Sequence, residues 1–197
     1  MDVSRETSER LRLYVSLIEK WTKAINLVGP STLADIWDRH IADSVQVYRA
    51  VPHPSGLWAD LGTGAGLPGL VVAILAADEA PDLRITLVES DKRKATFCRT
   101  VVRELGLKAN ILDTRIEDTP HLGATILSAR ALAPLTVLLG YAEMHLAKGG
   151  TALFPKGADH DREIEEALAN WSFSVEKIPS KTDSRSVILK IGECARV

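Results

Sequence analysis

The stretch Ala59-Asp60-Leu61-Gly62-Thr63-Gly64-Ala65-Gly66-Leu67-Pro68-Gly69, entered from Leu57-Trp58 and left through Leu70-Val71-Val72-Ala73-Ile74-Leu75, constrains the fold of this chain more than any other. It reads as a short buried strand, a glycine turn and an apolar helix. Alternate glycines allow positive φ and let a ligand reach main-chain N–H groups with no Cβ in the way. The helix that follows should aim its first N–H groups at the same spot. A nucleotide-like ligand is expected there.

The spacing narrows which nucleotide. A dinucleotide fingerprint runs G-x-G-x-x-G with an acidic residue about 20 positions on. Here the order is Gly62-x-Gly64-x-Gly66, with Asp60 placing a negative charge at the mouth of the turn and no P-loop lysine after it. Both facts disfavour a pyrophosphate. An acid followed by alternating glycines resembles the first motif of class I methyltransferases that use S-adenosylmethionine. That cofactor has no phosphate and carries an α-amino group and a sulfonium, which favour a carboxylate nearby.

At 197 residues, with 46% hydrophobic and 25% charged residues, the chain can bury one sizeable core. No apolar run approaches a membrane span, and Met1-Asp2-Val3-Ser4-Arg5-Glu6 is too polar for a signal peptide. Cys98 and Cys194 have neither disulfide-framework nor metal-ligand spacing, and Cys98 sits in a helical pattern as core filler. The expectation is a soluble, reduced, cytoplasmic protein without a metal, monomeric by default. A net charge of −2 does not advertise a nucleic-acid partner, so the distribution of charge must decide.

Two regions follow from periodicity: a helical extension over residues 1–55 and an alternating strand–helix region over 56–197. In the first, Leu11, Val15, Ile18 and Trp21 recur at helical spacing up to a Gly29-Pro30 break. Ser31 is expected to cap a short helix through Ile36-Trp37, and a further helix is expected from about His40 to Tyr48. In the second, strands are predicted at Leu83–Val88, Ala109–Leu112, Thr125–Ser128, Thr151–Phe154, Trp171–Ile178 and Val187–Ile191. Helices are predicted over Asp91–Leu105, Pro134–Ala147 and Asp159–Ala169. This order predicts a Rossmann-like, mostly parallel α/β sheet, with the closing pair forming a hairpin and hence one antiparallel edge strand.

In open α/β sheets ligands bind beyond the carboxyl ends of the strands. The first end carries Asp60, Gly62, Gly64 and Gly66. The second carries Glu89, whose carboxylate can accept both ribose hydroxyls. Residues after the third, in Asp113-Thr114-Arg115-Ile116-Glu117-Asp118, would lie beside an adenine ring. Arg130 follows the fourth strand, suited to a phosphate or a cofactor carboxylate, and Lys156 follows the fifth. Lys92, Arg93 and Lys94 open a helix against its macrodipole, an unfavourable placement that fits a phosphate-contacting role.

Taken together, these residues resemble the bacterial 16S ribosomal RNA guanine-N7 methyltransferases, the glucose-inhibited division protein B family. The resemblance covers nearly the whole chain. It rests on Trp21…Ile25-Asn26-Leu27, Arg39-His40-Ile41-x-Asp43-Ser44, Asp60-x-Gly62-Thr63-Gly64-Ala65-Gly66-x-Pro68-Gly69, Glu89-x-x-Lys92-Arg93-Lys94-x-x-Phe97, Arg115-x-Glu117, Ala129-Arg130-Ala131 and Lys156-Gly157. Thr22 and Ala129 depart from the residues the family often carries there, and neither touches an inferred contact.

The resemblance implies a class I fold, S-adenosylmethionine as cofactor, and 16S ribosomal RNA or the small ribosomal subunit as partner. It places cofactor contacts at Gly62, Leu67, Ile116, Glu117 and Arg130, beside Asp60, Gly64, Gly66 and Glu89. His40, Asp43 and Ser44 are candidates for the substrate side. Guanine N7 presents a lone pair, so no general base is expected, and none is named. The alternatives are a methyltransferase acting on a protein or small molecule, a nicotinamide dehydrogenase whose fingerprint spacing is not met, and a non-enzymatic module that retains the cofactor.

Overall fold

The computed structural model of the chain describes residues 3–197, apart from the side chains of Pro30 and Ser31. Helix α1 (Arg5–Thr22) buries Leu11, Tyr14, Val15 and Ile18, so the predicted apolar stripe gains a tyrosine. Ser4 caps it, accepting from the Thr7 amide at 3.1 Å. Helix α2 (Pro30–Leu33) has Gly29 at its N-cap, so Ser31, expected to cap a helix through Ile36-Trp37, falls inside a shorter one, its side chain lying outside the described residues. The helix expected from His40 divides into a widened π-helical turn, Trp37–Ala42, running straight into α3 (Asp43–Arg49). Such turns recur at functional sites.

The remainder alternates as predicted: β1 (Leu57–Leu61), α4 (Gly69–Glu79), β2 (Arg84–Val88), α5 (Lys92–Glu104), β3 (Asn110–Leu112), β4 (Ala124–Ser128), α6 (Leu135–His145), β5 (Leu146–Lys156), α7 (His160–Leu168), β6 (Trp171–Pro179) and β7 (Val187–Arg196). The strands form one seven-stranded sheet in the order β3-β2-β1-β4-β5-β7-β6. β1 pairs in parallel with β2 on one side and β4 on the other, so the strand order reverses across β1. A crevice at that reversal is where such sheets take ligands.

Two expectations need correction. β5 starts at Leu146, directly after α6 ends at His145, and its pairing with β4 shifts register between Ala124 and Ile126. Gly149, at φ +76°, lies within this irregular stretch, where a helix and then a glycine loop are the sequence reading. The antiparallel strand is β7, and it lies inside the sheet between β5 and the edge strand β6. Burial explains the order: Val187, Ile188, Leu189 and Ile191 of β7 are buried, whereas β6 is exposed along most of its length.

Each sheet face carries its own apolar layer. On one face Leu11, Tyr14, Ile18, Ile41 and Val47 pack with Trp58, Leu70, Ile74 and Leu87. The helices before residue 56 therefore complete the core of that face. On the other, Leu135, Leu138, Leu139 and Ala167 of α6 and α7 meet Leu127, Ala152 and Phe154. No helix among the described residues is long and apolar enough to cross a membrane.

Candidate active site at the strand-order reversal

The glycine loop is organised from beneath by a buried carboxylate. Asp60 is fully buried and accepts from the Ser128 hydroxyl at 2.6 Å, the Gly69 amide at 3.1 Å and the Thr63 hydroxyl. Trp58 Nε1 donates to the same Ser128 hydroxyl at 2.9 Å, which extends the network into the core. Burial raises the Asp60 pKa to about 6, outweighing the three hydrogen bonds that favour the charge. The expected charge at the mouth of the turn is thus a charge below its floor. The first N–H of α4 is likewise turned inward to Asp60, where the sequence predicts a helix end open to a ligand. A carboxylate there is favoured by the helix dipole and takes the amide a phosphate would otherwise use first.

Above this floor the loop rests on side chains from three other elements. Glu89, after β2, accepts from the Gly64 amide at 2.8 Å and from the Asp91 amide at 2.8 Å. It latches the first two strand-end loops together while retaining further acceptor capacity on both oxygens. Tyr14 of α1 donates to the Ala65 carbonyl at 2.7 Å, and the Cys98 thiol of α5 approaches the Gly64 carbonyl at 3.6 Å. Burial pushes both the phenol and the thiol up in pKa, so each stays protonated as a donor. Gly64 itself has φ +59°, and a Cβ built there would meet only the Gly62 carbonyl, at 3.9 Å. The direction is open because it faces the cavity.

That cavity has a volume of about 500 Å³, within the range of small-molecule sites. Of the sequence-predicted cofactor residues, Gly62, Gly64, Leu67, Glu89, Ile116, Glu117 and Arg130 line it. Asp60 and Gly66 do not; a Cβ at Gly66 would instead strike Leu70 at 2.2 Å. The loop carrying Ile116 and Glu117 is held by α6. Tyr141 donates to Glu117 Oε1 at 2.5 Å, and His145 Nε2 donates to the Ile116 carbonyl at 3.0 Å.

Predicted substrate-side residues are less uniformly placed. His40 lines the cavity and accepts from Arg130 at its Nδ1, at 3.0 Å. A guanidinium cannot accept, so the ring proton sits on Nε2 and is donated to Thr32 Oγ1 at 3.0 Å. Burial first, then Arg130 and Arg39, lower the His40 pKa to about 4. Ser44 is fully buried, donating to the His40 carbonyl at 2.6 Å, and is corrected from a lining residue to an internal brace. Asp43 lies outside this cavity and accepts from Thr182.

The cations expected around the cleft, Lys92, Arg93, Lys94, Arg130 and Lys156, do not form one continuous set. Lys94 and Arg130 line the cavity; Lys92 and Arg93 are exposed beside it, with Arg93 turned to Asp91. Lys156 is nearly buried, donating to Glu163 at 2.6 Å and to the Ala133 carbonyl at 2.8 Å, because an unpaired ammonium there would lack solvent. Tyr14, Cys98 and Tyr141 are missing from the predicted set, and Arg115, expected only within the loop beside the adenine, adds a cation to the cavity wall. A signal existed for Tyr14: a tyrosine within a buried aliphatic stripe needs a partner for its hydroxyl.

The donor set suits S-adenosylmethionine. It offers an inward carboxylate at Glu89, a side-chain-free backbone at Gly64 and apolar walls at Leu67, Val88 and Ile116. No group of three or more metal-ligating side chains occurs among the described residues.

Residues 7–188 match the family model described as GidB, rRNA small subunit methyltransferase G. The chain belongs to this family. A GidB relative from Cereibacter sphaeroides, described as ribosomal RNA small subunit methyltransferase G, is 53% identical over 197 residues, covering all of this chain and 96% of that one. A relative from Ruegeria pomeroyi with the same description is 50% identical at the same coverage. Among solved structures, a SAM-dependent methyltransferase from Aquifex aeolicus superposes with a TM-score of 0.61 at 12% identity, covering 90% of this chain and 97% of that one. TYW2 of Pyrococcus horikoshii, solved in complex with MeSAdo, gives 0.57 at 14% identity over 78% of this chain and 62% of that one. These structural likenesses establish the class I methyltransferase fold, and the GidB relatives establish the family.

Proposed function

We propose that this GidB chain transfers the methyl group of S-adenosylmethionine to N7 of an unstacked loop guanine in 16S ribosomal RNA, acting in the cytoplasm. The observation that carries the reading is the cavity at the strand-order reversal, where Glu89 is latched to the Gly64 amide at 2.8 Å in a chain of this family. When bound, S-adenosylmethionine supplies an electrophilic methyl group on a sulfonium.

The chain's own residues position and shield. Glu89 would accept the ribose hydroxyls of a bound S-adenosylmethionine with the lone pairs its two backbone donors leave free. Ile116 and Glu117, braced by Tyr141 and His145, would hold the adenine. The main chain from Gly62 to Gly64 would hold the amino-acid end. Arg130 stands between this cavity and the acceptor side.

Guanine N7 already carries its lone pair. Held by Glu89, the Gly62–Gly64 main chain, Ile116 and Glu117, S-adenosylmethionine would supply its methyl carbon to this lone pair, the carbon–sulfur electron pair going to sulfur and the base taking the positive charge. No side chain must remove a proton from the nucleophile, so catalysis rests on alignment and exclusion of water. The guanine must leave the helix, because N7 is poorly accessible in the deep, narrow major groove of A-form RNA. The test is to supply methyl-labelled S-adenosylmethionine with small ribosomal subunits and fractionate the products. Label is expected in the RNA as 7-methylguanine; label in protein alone would overturn the reading.

A further inference from the structure

A second cavity, of about 340 Å³, adjoins the first and shares Arg130 and Ala131 with it. It opens between α3, the end of β5 and the 180–186 loop, with Asp43, Gln46, Gly157 and Ser180 in its wall. Three observations mark it as a built site. Gln46 pins the loop from α3, donating to the Pro179 carbonyl at 2.7 Å and accepting from the Lys181 amide at 3.0 Å. Ala131, in the partition, has φ +51°, a left-handed backbone that costs a non-glycine residue energy and concentrates at functional sites. Arg130 has no carboxylate within ion-pair distance among the described residues; its hydrogen bonds go to His40 Nδ1 at 3.0 Å and the Arg39 carbonyl at 3.5 Å, both from Nη1.

Asp43 accepts from Thr182 through Oδ1, and its Oδ2 has no hydrogen bond among the described residues. The cavity thus offers a carboxylate acceptor from Asp43 and guanidinium donors from Arg130. Guanine is the base whose Watson–Crick edge presents two adjacent donors, N1–H and the 2-amino group, next to the acceptor O6, with N7 beyond O6.

We infer that this second cavity receives the acceptor guanine, with Asp43 accepting from N1–H and the 2-amino group and Arg130 donating to O6. The inference rests on the guanine-methylating reading above and assigns base selection to residues outside the cofactor cavity. With that edge engaged, N7 is left on the side of the partition facing the cofactor cavity. Adenine would present a lone pair at N1 to Asp43 and an amino group to Arg130, and both contacts would be repulsive.

The test uses small subunits reconstituted with 16S RNA carrying either guanosine or inosine at the methylated position. Inosine keeps O6 and N7 and lacks only the 2-amino group. Wild-type enzyme should lose about tenfold to a hundredfold in kcat/KM on inosine, the range for one hydrogen bond to a charged group. Asp43→Asn should bring the guanosine-to-inosine ratio close to one. Thr182→Val, which removes the Asp43 tether and keeps the carboxylate, should preserve the ratio. An unchanged ratio in Asp43→Asn, or no discrimination by the wild type, overturns the inference and leaves the methyltransferase reading intact. If Asp43→Asn does not fold, wild-type discrimination and the Thr182→Val ratio still decide. Failure of the wild type to methylate the guanosine particles overturns both.

Discussion

Glu89 and His40 each carry a consequence that can be measured one residue at a time. Glu89→Ala removes the acceptor proposed for the ribose and frees the Gly64 amide, so S-adenosylmethionine should bind more weakly by about 1–3 kcal/mol. Calorimetry reads the affinity, while turnover at saturating cofactor should change less. A loss of turnover at unchanged affinity would move Glu89 to the acceptor side. For His40, an unfolded chain takes up a proton near pH 6.5, whereas the folded ring resists it until about pH 4. The unfolded state therefore binds more protons in that window, and the stability tied to this group falls as pH drops through it. Asp60, with its pKa raised to about 6, acts in the opposite sense over much of the same range. Comparing wild type with His40→Gln separates them: the stability difference should narrow or reverse between pH 6.5 and 4, and a constant difference would contradict the assigned neutral ring.

Among the elements, the β1–α4 connection bears most directly on the site. Gly69 has ordinary backbone angles, and its lack of a side chain answers to space. A Cβ there would come within 2.8 Å of Asp60 Oδ2, 2.9 Å of Asp60 Cβ and 2.9 Å of Leu87 Cγ. Gly69→Ala should therefore destabilise the fold by about 1–3 kcal/mol through overpacking, read as a lower denaturation midpoint. No change in midpoint would mean the Asp60 network relaxes freely. The glycine pattern is legible in the sequence because strand, turn and helix each have their own local signature. The inward turn of Asp60 is not, since a carboxylate before a glycine turn reads the same whether it faces a ligand or caps a helix from below. The place of β7 inside the sheet is similarly hidden. Sequence separates the two closing strands but pairs them only by adjacency, and it is the heavier apolar content of Val187–Ile191 that draws β7 inward. Tyr141 and His145 escape a reading of the sequence because their partners lie on a distant loop, although their i, i+4 spacing puts them on one face of α6.

The molecule as a whole has a net charge of −2 and must still bind RNA. Lys94 and Arg115 line the cofactor cavity, with Lys92 and Arg93 exposed beside it. Binding of small-subunit RNA should weaken with salt, and removing one phosphate-binding cation should lower the log–log slope by roughly 0.7–0.9. Lys94→Glu should flatten that slope more than Lys156→Gln, because Lys156 is already committed to Glu163. A flat response in the wild type would leave the RNA held by something other than its phosphates. Cleft and reaction meet in one product, 7-methylguanine, which can be read directly because reduction followed by aniline cleaves an RNA strand at that base. Small subunits should be incubated with S-adenosylmethionine and either wild type or Gly64→Val, whose side chain would enter the cofactor cavity from a φ of +59°. Cleavage at one guanine with the wild type, and none with a folded Gly64→Val that no longer binds cofactor, is the predicted result. Equal cleavage by the two enzymes, or no cleavage by the wild type, would contradict it.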